Sequence, residues 1–254
     1  MSIRTEIRSL TPDKVVFDVC GITVATANAL RRICMSRVPT LGLEDVQITA
    51  NTTTFHDEFL CHRIGFVPLR HTEDPQLKRF HFPDGECSCV SSCPRCRTDL
   101  IIECKAGNDP CFHMTSRHLS SSNKAVQPIH FLDGEEEKKA QLAEAILYPT
   151  RQTSQTGIRI APLKKGEKFV GMGRVVKGTG TQHPRWSPVA NCSVMQLEPG
   201  STKMWTEPKG KERERTFRFS VELVGQLTAQ ELLESAFRVL IDRCKQLGGK
   251  GLLT

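Results

Sequence analysis

Aromatic side chains are scarce in this 254-residue chain: they make up 6% of it, with one tyrosine and two tryptophans. That scarcity argues against the stacked aromatic platforms on which single-strand binders hold bases. Long apolar runs are missing as well, and none approaches the roughly 20 residues that a membrane-spanning helix needs. The opening stretch MSIRTEIRSLTPDK has no apolar h-region, so a reducing intracellular compartment is expected. No glycine-rich phosphate loop, G-x-S-x-G elbow or H-E-x-x-H helix occurs. Gly171, Gly173, Gly178 and Gly180 lack the strand–turn–helix setting of a nucleotide site. Charge of one sign is not concentrated either. The net charge is +7, yet lysines and arginines are scattered, and glutamates offset the one dense run, KGKERER at 209–215. Composition alone therefore makes the chain neither a recognisable enzyme nor a DNA reader.

Cysteine, by contrast, is abundant, at eleven residues. Four of them, Cys87, Cys89, Cys93 and Cys96, fall in GECSCVSSCPRC as C-x-C-x3-C-x2-C. Thiols this close in a reducing compartment are more often metal ligands than disulfide partners. Ser88, Ser91, Ser92 and Pro94 supply turn residues between them, and Pro94 stiffens the second knuckle. Four thiolates fill a tetrahedral zinc shell and leave no open position for chemistry. A zinc ribbon would separate two C-x2-C knuckles by ~15–20 residues, and a ferredoxin run has its own spacing; neither matches. Cys104 and Cys111 stand close enough in sequence to compete as ligands. His56, Asp57 and His62 are near neighbours, but such clusters are usually solvated or structural, and the acidic residues Asp133, Glu135, Glu136 and Glu137 read as a solvated surface.

Periodicity organises the rest. Ile3, Thr5 and Ile7 alternate with mostly charged residues, Thr11-Pro12-Asp13 turns the chain, and Val15, Phe17 and Val19 alternate again, which predicts a β-hairpin. From Thr23 the period becomes helical, with Val24, Ala27, Leu30 and Cys34 on one face, and Pro39 limits the helix to residues 23–37. Near the other end Phe217, Phe219, Val221 and Leu223 alternate as a strand that Gly225 closes. Thr228 and Glu231 form a capping box that opens a helix running to about Leu247, with Gly248-Gly249 as a C-cap. Its seam is Ala229, Leu233, Ala236, Phe237, Leu240, Cys244 and Leu247, with Leu232, Val239 and Ile241 beside it. That seam either covers the domain's own sheet or also packs on another subunit, since a small sheet with two helices often completes its core by association. Strand-like runs at 100–104, 157–162 and 169–177 lie between the two ends, and 198–215 reads as an exposed loop. The expected fold is α+β: a discontinuous domain, 1–42 with 187–254, holding a sheet and two helices, around an inserted mainly-β domain at 43–186 that carries the cysteines.

Longer segments then resemble a known family. NALRRICMSRVPTLGLEDVQI (28–48), DEFLCHRIGFVPLR (57–70), the cysteine spacing, MTSRHL (114–119) and QHPRWSPVA (182–190) are jointly similar to the alpha-like subunits of RNA polymerases. That family takes in the third-largest subunit of eukaryotic RNA polymerase II, its archaeal counterpart and the N-terminal domain of bacterial alpha. Residues 120–156 and 198–215 match no family segment. The resemblance implies a non-catalytic assembly subunit of DNA-directed RNA polymerase II in the nucleus, with the catalytic magnesium held by the largest subunit. It implies a heterodimer with a smaller alpha-like subunit, docked on the second-largest subunit and on small zinc-binding subunits, with DNA met only indirectly and no membrane. By the same resemblance Cys87, Cys89, Cys93 and Cys96 bind one structural zinc ion. Asn28, Leu30, Arg31 and Arg32 lie in the assembly helix, and Leu233, Phe237, Leu240 and Cys244 form the heterodimer seam. The alternative is a free-standing zinc-dependent nucleic-acid-binding protein, against which the lack of a basic stripe argues; a metalloenzyme would need an open coordination position.

Overall fold

Alternating apolar residues build the first sheet as predicted. Strand β1 (Arg4–Leu10) and strand β2 (Lys14–Cys20) pair antiparallel across a turn in which the Thr11 N–H donates to Lys14 O at 2.8 Å. The structure, a computed structural model, describes residues 3–82, 96–108, 112–130, 157–197 and 215–248, with Cys87, Cys89 and Cys93. The fold is α+β, and its contacts divide the chain into two units, residues 1–38 with 179–254 and residues 39–178. The acidic run at 133–140, most of 198–215, Cys111 and the second glycine of the C-cap, Gly249, lie outside the described residues.

In the first unit β11 (Val189–Leu197) and β12 (Thr216–Leu223) complete an antiparallel sheet of order β1-β2-β12-β11. Phe17 and Phe219 are register partners, and their rings stack at 4.9 Å with 2° between planes. Helices α1 (Val24–Ser36) and α3 (Ala229–Gly248) pack on one another and share a core with this face. Thr23 caps α1 by accepting the Thr26 N–H at 3.1 Å. The helix buries Ala27, Leu30, Ile33 and Cys34. Val24, expected on that face, is exposed because it stands one turn before the packed part of the helix.

Strand β1 departs from the half-buried pattern. All its side chains are exposed, Ile7 and Leu10 among them, although Ile7 sits opposite the buried Phe17. It is the edge strand of the sheet, and α1 packs at the far edge, against β11. Alternation marks a strand but cannot tell whether a layer covers it.

The opposite face of the sheet carries a buried carboxylate. Asp18 accepts from Arg8 Nε at 2.7 Å and from Arg218 Nε and Nη2 at 2.8 and 2.9 Å. Hydrogen bonding by Arg218, seconded by Arg8, holds the Asp18 carboxyl down at about 2, below the usual 3.8. A depressed carboxyl contributes stability that is complete above the unfolded value and is lost as pH falls through the folded one. Between about pH 5 and pH 2 the chain should therefore lose about 2 kcal/mol at this site. Asp18→Asn should flatten that part of the profile, which urea unfolding of both proteins across the range would reveal. Parallel profiles would contradict the clamp.

The second unit holds β3 (Pro39–Asn51), β4 (Leu69–His71), β5 (Arg97–Lys105), β7 (Leu119–Ser121), β8 (Val126–Pro128) and β10 (Lys168–Thr179), hydrogen-bonded in the order β7-β5-β10-β3-β4-β8. A two-stranded ribbon joins β6 (Phe112–Thr115) to β9 (Arg159–Leu163). The three predicted runs thus become β5, β9 and β10. Helix α2 (Asp57–Gly65) buries Leu60 and Ile64 in a core with Leu43, Leu100, Met114 and Phe169. Gly173 has a packing reason: a Cβ there would lie 2.6 Å from Leu43 Cδ1 on the neighbouring strand β3. Glycine at this point lets β10 lie against β3.

Candidate metal centre and pairing helices

Two anchors bring the four cysteines together. Upstream, Lys177 of β10 donates to Leu77 O at 3.0 Å and Phe80 O at 2.9 Å, and its ammonium lies 4.6 Å from the Phe82 ring centroid. Downstream, Cys93 O accepts the N–H groups of Cys96 and Arg97 at 3.0 and 3.1 Å, and β5 begins at Arg97. A strand of one sheet therefore ties down the approach to the cluster, and the next strand starts from its last member.

The sulfurs form a closed ring. Sγ–Sγ separations are 3.3 Å for Cys87–Cys89, 3.5 Å for Cys89–Cys96, 3.6 Å for Cys96–Cys93 and 3.5 Å for Cys93–Cys87. All four lie within 4.8 Å of one another. A regular tetrahedron with Zn–S bonds of about 2.3 Å has edges of about 3.8 Å. The donor set, all sulfur with no histidine or carboxylate, and its spacing both fit that ion. Distances well above the S–S bond length of about 2.0 Å mark thiols rather than disulfides. The crowding acts on the protons too. Hydrogen bonding with Cys87 first, then Cys96, pushes the Cys89 thiol up to about 12, and burial pushes Cys96 up. A divalent ion has to displace those protons, so occupancy rises with pH.

Cys104 does not join this group. It is buried in the core of the second unit, and burial pushes its thiol up to about 12. His56, Asp57 and His62 do not converge either: Asp57 accepts from Asn51 Nδ2 at 2.7 Å, while the His62 ring leans on Phe66 at 4.9 Å. Among the described residues the cysteine quartet is the one group with metal-ligand geometry.

The residues expected to pair subunits sit on α1 and α3. Asn28 and Arg32 are exposed, and the half-buried Arg31 donates through Nε and Nη2 to Asn28 Oδ1 at 3.1 and 3.0 Å and through Nη1 to Met35 Sδ at 3.3 Å. Leu30 is a core residue of its own unit, 3% exposed. The capping box of α3 forms: Thr228 N donates to Glu231 Oε2 at 2.7 Å, and Glu231 N to Thr228 Oγ1 at 3.3 Å. The packed face of α3 keeps Ala229 and Ala236 of the predicted seam but adds Leu232 and Ser235 beside them, in place of Leu233 and Phe237. Leu233 and Leu240 are half-buried along its margin, while Phe237 (40%), Ile241 (52%) and Cys244 are exposed. Ile241, set beside the seam by sequence, is thus an outward apolar residue. No described helix is long and apolar enough to cross a membrane.

Comparison with known proteins adds relatives. The profile of the family described as "RNA polymerase Rpb3/Rpb11 dimerisation domain" matches residues 16–244. Subunit 3 of DNA-directed RNA polymerases II, IV and V from Arabidopsis thaliana is 30% identical over 193 residues, covering 76% of this chain and 56% of that protein. DNA-directed RNA polymerase II subunit rpb3 of Dictyostelium discoideum is 29% identical over 195 residues, covering 76% and 57%. Subunit RPB3 of Schizosaccharomyces pombe polymerase II is 25% identical over 269 residues, covering 93% and 83%. The chain thus spans little more than half the length of the plant and slime-mould relatives.

Proposed function

The chain belongs to the RNA polymerase Rpb3/Rpb11 dimerisation-domain family, and from that membership we propose that it is a non-catalytic assembly subunit of a DNA-directed RNA polymerase. The observation that carries the proposal is the pair of helices α1 and α3. They pack together over one sheet, and α3 still turns Phe237 and Ile241 outward beside the half-buried Leu233 and Leu240. A helix that has already filled its own core and keeps an apolar flank is built to cover a second surface. The discontinuous unit is then the dimerisation domain, with a smaller alpha-like subunit as its partner. Residues 39–178 are the insert, in which Cys87, Cys89, Cys93 and Cys96 hold one structural zinc. When bound, that ion supplies a cross-link among segments with little core of their own.

All three relatives carry polymerase II in their names, which supports polymerase II as the enzyme served, and the nucleus is the compartment proposed with it. By the family resemblance the pair docks on the second-largest subunit and on small zinc-binding subunits. Expressed alone, the chain should self-associate or aggregate; co-expressed with a small alpha-like subunit it should elute as a soluble one-to-one complex in size-exclusion chromatography with light scattering. A stable monomer that ignores that subunit would sink the proposal. Salt-sensitive DNA binding by such a monomer would favour the free-standing nucleic-acid binder instead.

A further inference from the structure

Neither the pairing helices nor the cysteine quartet accounts for the outer face of α2. Its inner face, Leu60 and Ile64, fills the core of the second unit. His62 and Arg63 stand three and four residues after Phe59, and four and three before Phe66, on the outer side, so the four form a single stripe. Phe59 is 44% exposed and Phe66, at the turn that ends the helix, 42%. Two large aromatic faces in water on one short helix are more than scattered surface apolarity.

The stripe is also ordered in advance. Phe59 stacks on Phe55 with centroids 5.3 Å apart, and the Arg63 guanidinium lies 5.5 Å from the Phe59 centroid. Arg63 Nη2 further donates to Arg159 O at 3.2 Å, which holds the cation beside the Phe59 ring. Side chains already held in place lose little freedom when something docks on them.

We infer that α2 is a docking surface for an amphipathic helix of a partner protein, one that presents two apolar side chains two turns apart with a carboxylate between them. The spacing follows from the stripe: seven residues of helix place Phe59 and Phe66 about 10 Å apart, the separation of two anchors on a facing helix. The carboxylate follows from Arg63, a planar donor fork between the anchors. A nucleic-acid strand is the poorer occupant. Asp57 and Glu58 immediately precede Phe59 in the first turn of α2, where they repel a phosphate backbone, whereas a peptide can set a lysine or arginine there.

The test is anisotropy of a labelled alanine-based helical peptide with two leucines two turns apart and a glutamate between them. It is titrated with the full chain, or with the chain bound to its dimer partner where solubility requires it. Saturable binding is expected, weakened about tenfold or more by combined Phe59→Ala and Phe66→Ala. Replacing the peptide glutamate by glutamine should weaken it about fivefold, and Arg63→Gln should abolish that preference. A single-stranded oligonucleotide should not compete. Absence of saturable binding, indifference to the two phenylalanines, a glutamate preference that survives Arg63→Gln, or competition by the oligonucleotide would each overturn the inference. Far-UV circular dichroism and zinc content check that the variants are folded; if the double variant is not, the glutamine peptide and Arg63→Gln decide.

Discussion

Replacing Cys93 by serine should abolish the proposed zinc binding and lower the stability of residues 39–178 by several kcal/mol. The position is central to the cluster. Its sulfur lies 3.5 Å from that of Cys87 and 3.6 Å from that of Cys96, and its carbonyl accepts two N–H groups at the threshold of β5. A serine hydroxyl keeps the backbone turn but is a poor ligand for zinc. Losing an outer-sphere partner of a metal typically costs 10–100-fold in affinity, so losing one of four direct thiolates should exceed about 100-fold. Structural zinc contributes about 10–16 kcal/mol of apparent binding energy in small peptides, and on the proposed role a share of that would be folding energy in this chain. Zinc-to-protein ratio by mass spectrometry and urea unfolding would read both effects. Cys104→Ser is the contrast: it places a hydroxyl in the apolar core and costs stability, yet should leave zinc content intact. A Cys93→Ser protein with full zinc and unchanged stability would refute the structural role. In an assembled polymerase the same substitution should reduce the yield of complex without altering the chemistry of RNA synthesis.

Charge placed on the outer flank of α3 should abolish pairing and leave the chain's own fold in place. Phe237 and Ile241 are 40% and 52% exposed, so glutamate at both removes little from the unit's core. In a complex, each side chain would instead be buried, and transferring an aromatic or aliphatic side chain from water contributes about 1.5–3 kcal/mol. Losing both, with two buried charges added, should weaken the complex by more than about 1,000-fold. Light scattering of the co-expressed proteins would show separate species. Leu232→Ala should behave in the opposite way. That residue is fully buried beside Ala236, so the cavity should cost about 2–5 kcal/mol and destabilise the chain before it affects pairing. If the flank variant pairs normally, α3 is not the interface.

Much of this was legible in the sequence, and the legible parts share a cause. The strands at 14–20 and 216–223, the Thr228–Glu231 capping box and the cysteine quartet are all local. Each depends on residues within a turn or two of one another, and backbone geometry gives them a fixed period or reach. The glycines of β10 were harder to read. Sequence could say only that they lacked a phosphate-loop setting; the reason for Gly173 lies in Leu43 on another strand. The aromatic stripe of α2 carried a signal, since Phe59, Arg63 and Phe66 follow helical spacing. Its exposure did not, because spacing marks a face without saying whether that face is inside.

Sequence by itself thus determined the first hairpin, the first and last helices, several of the strands, where the last helix begins, and that four thiols stand within reach of one ion. Tertiary structure alone decided which face of each element is covered. It turned Leu232 rather than Leu233 inward, left the apolar row of β1 in solvent, closed Arg8 and Arg218 on Asp18, and reached from Lys177 back to Leu77 and Phe80. The physical reason is one of range. Period and capping are set by neighbours within a turn or two along the chain, whereas coverage is set by residues from ten to two hundred positions away, which only folding brings into contact.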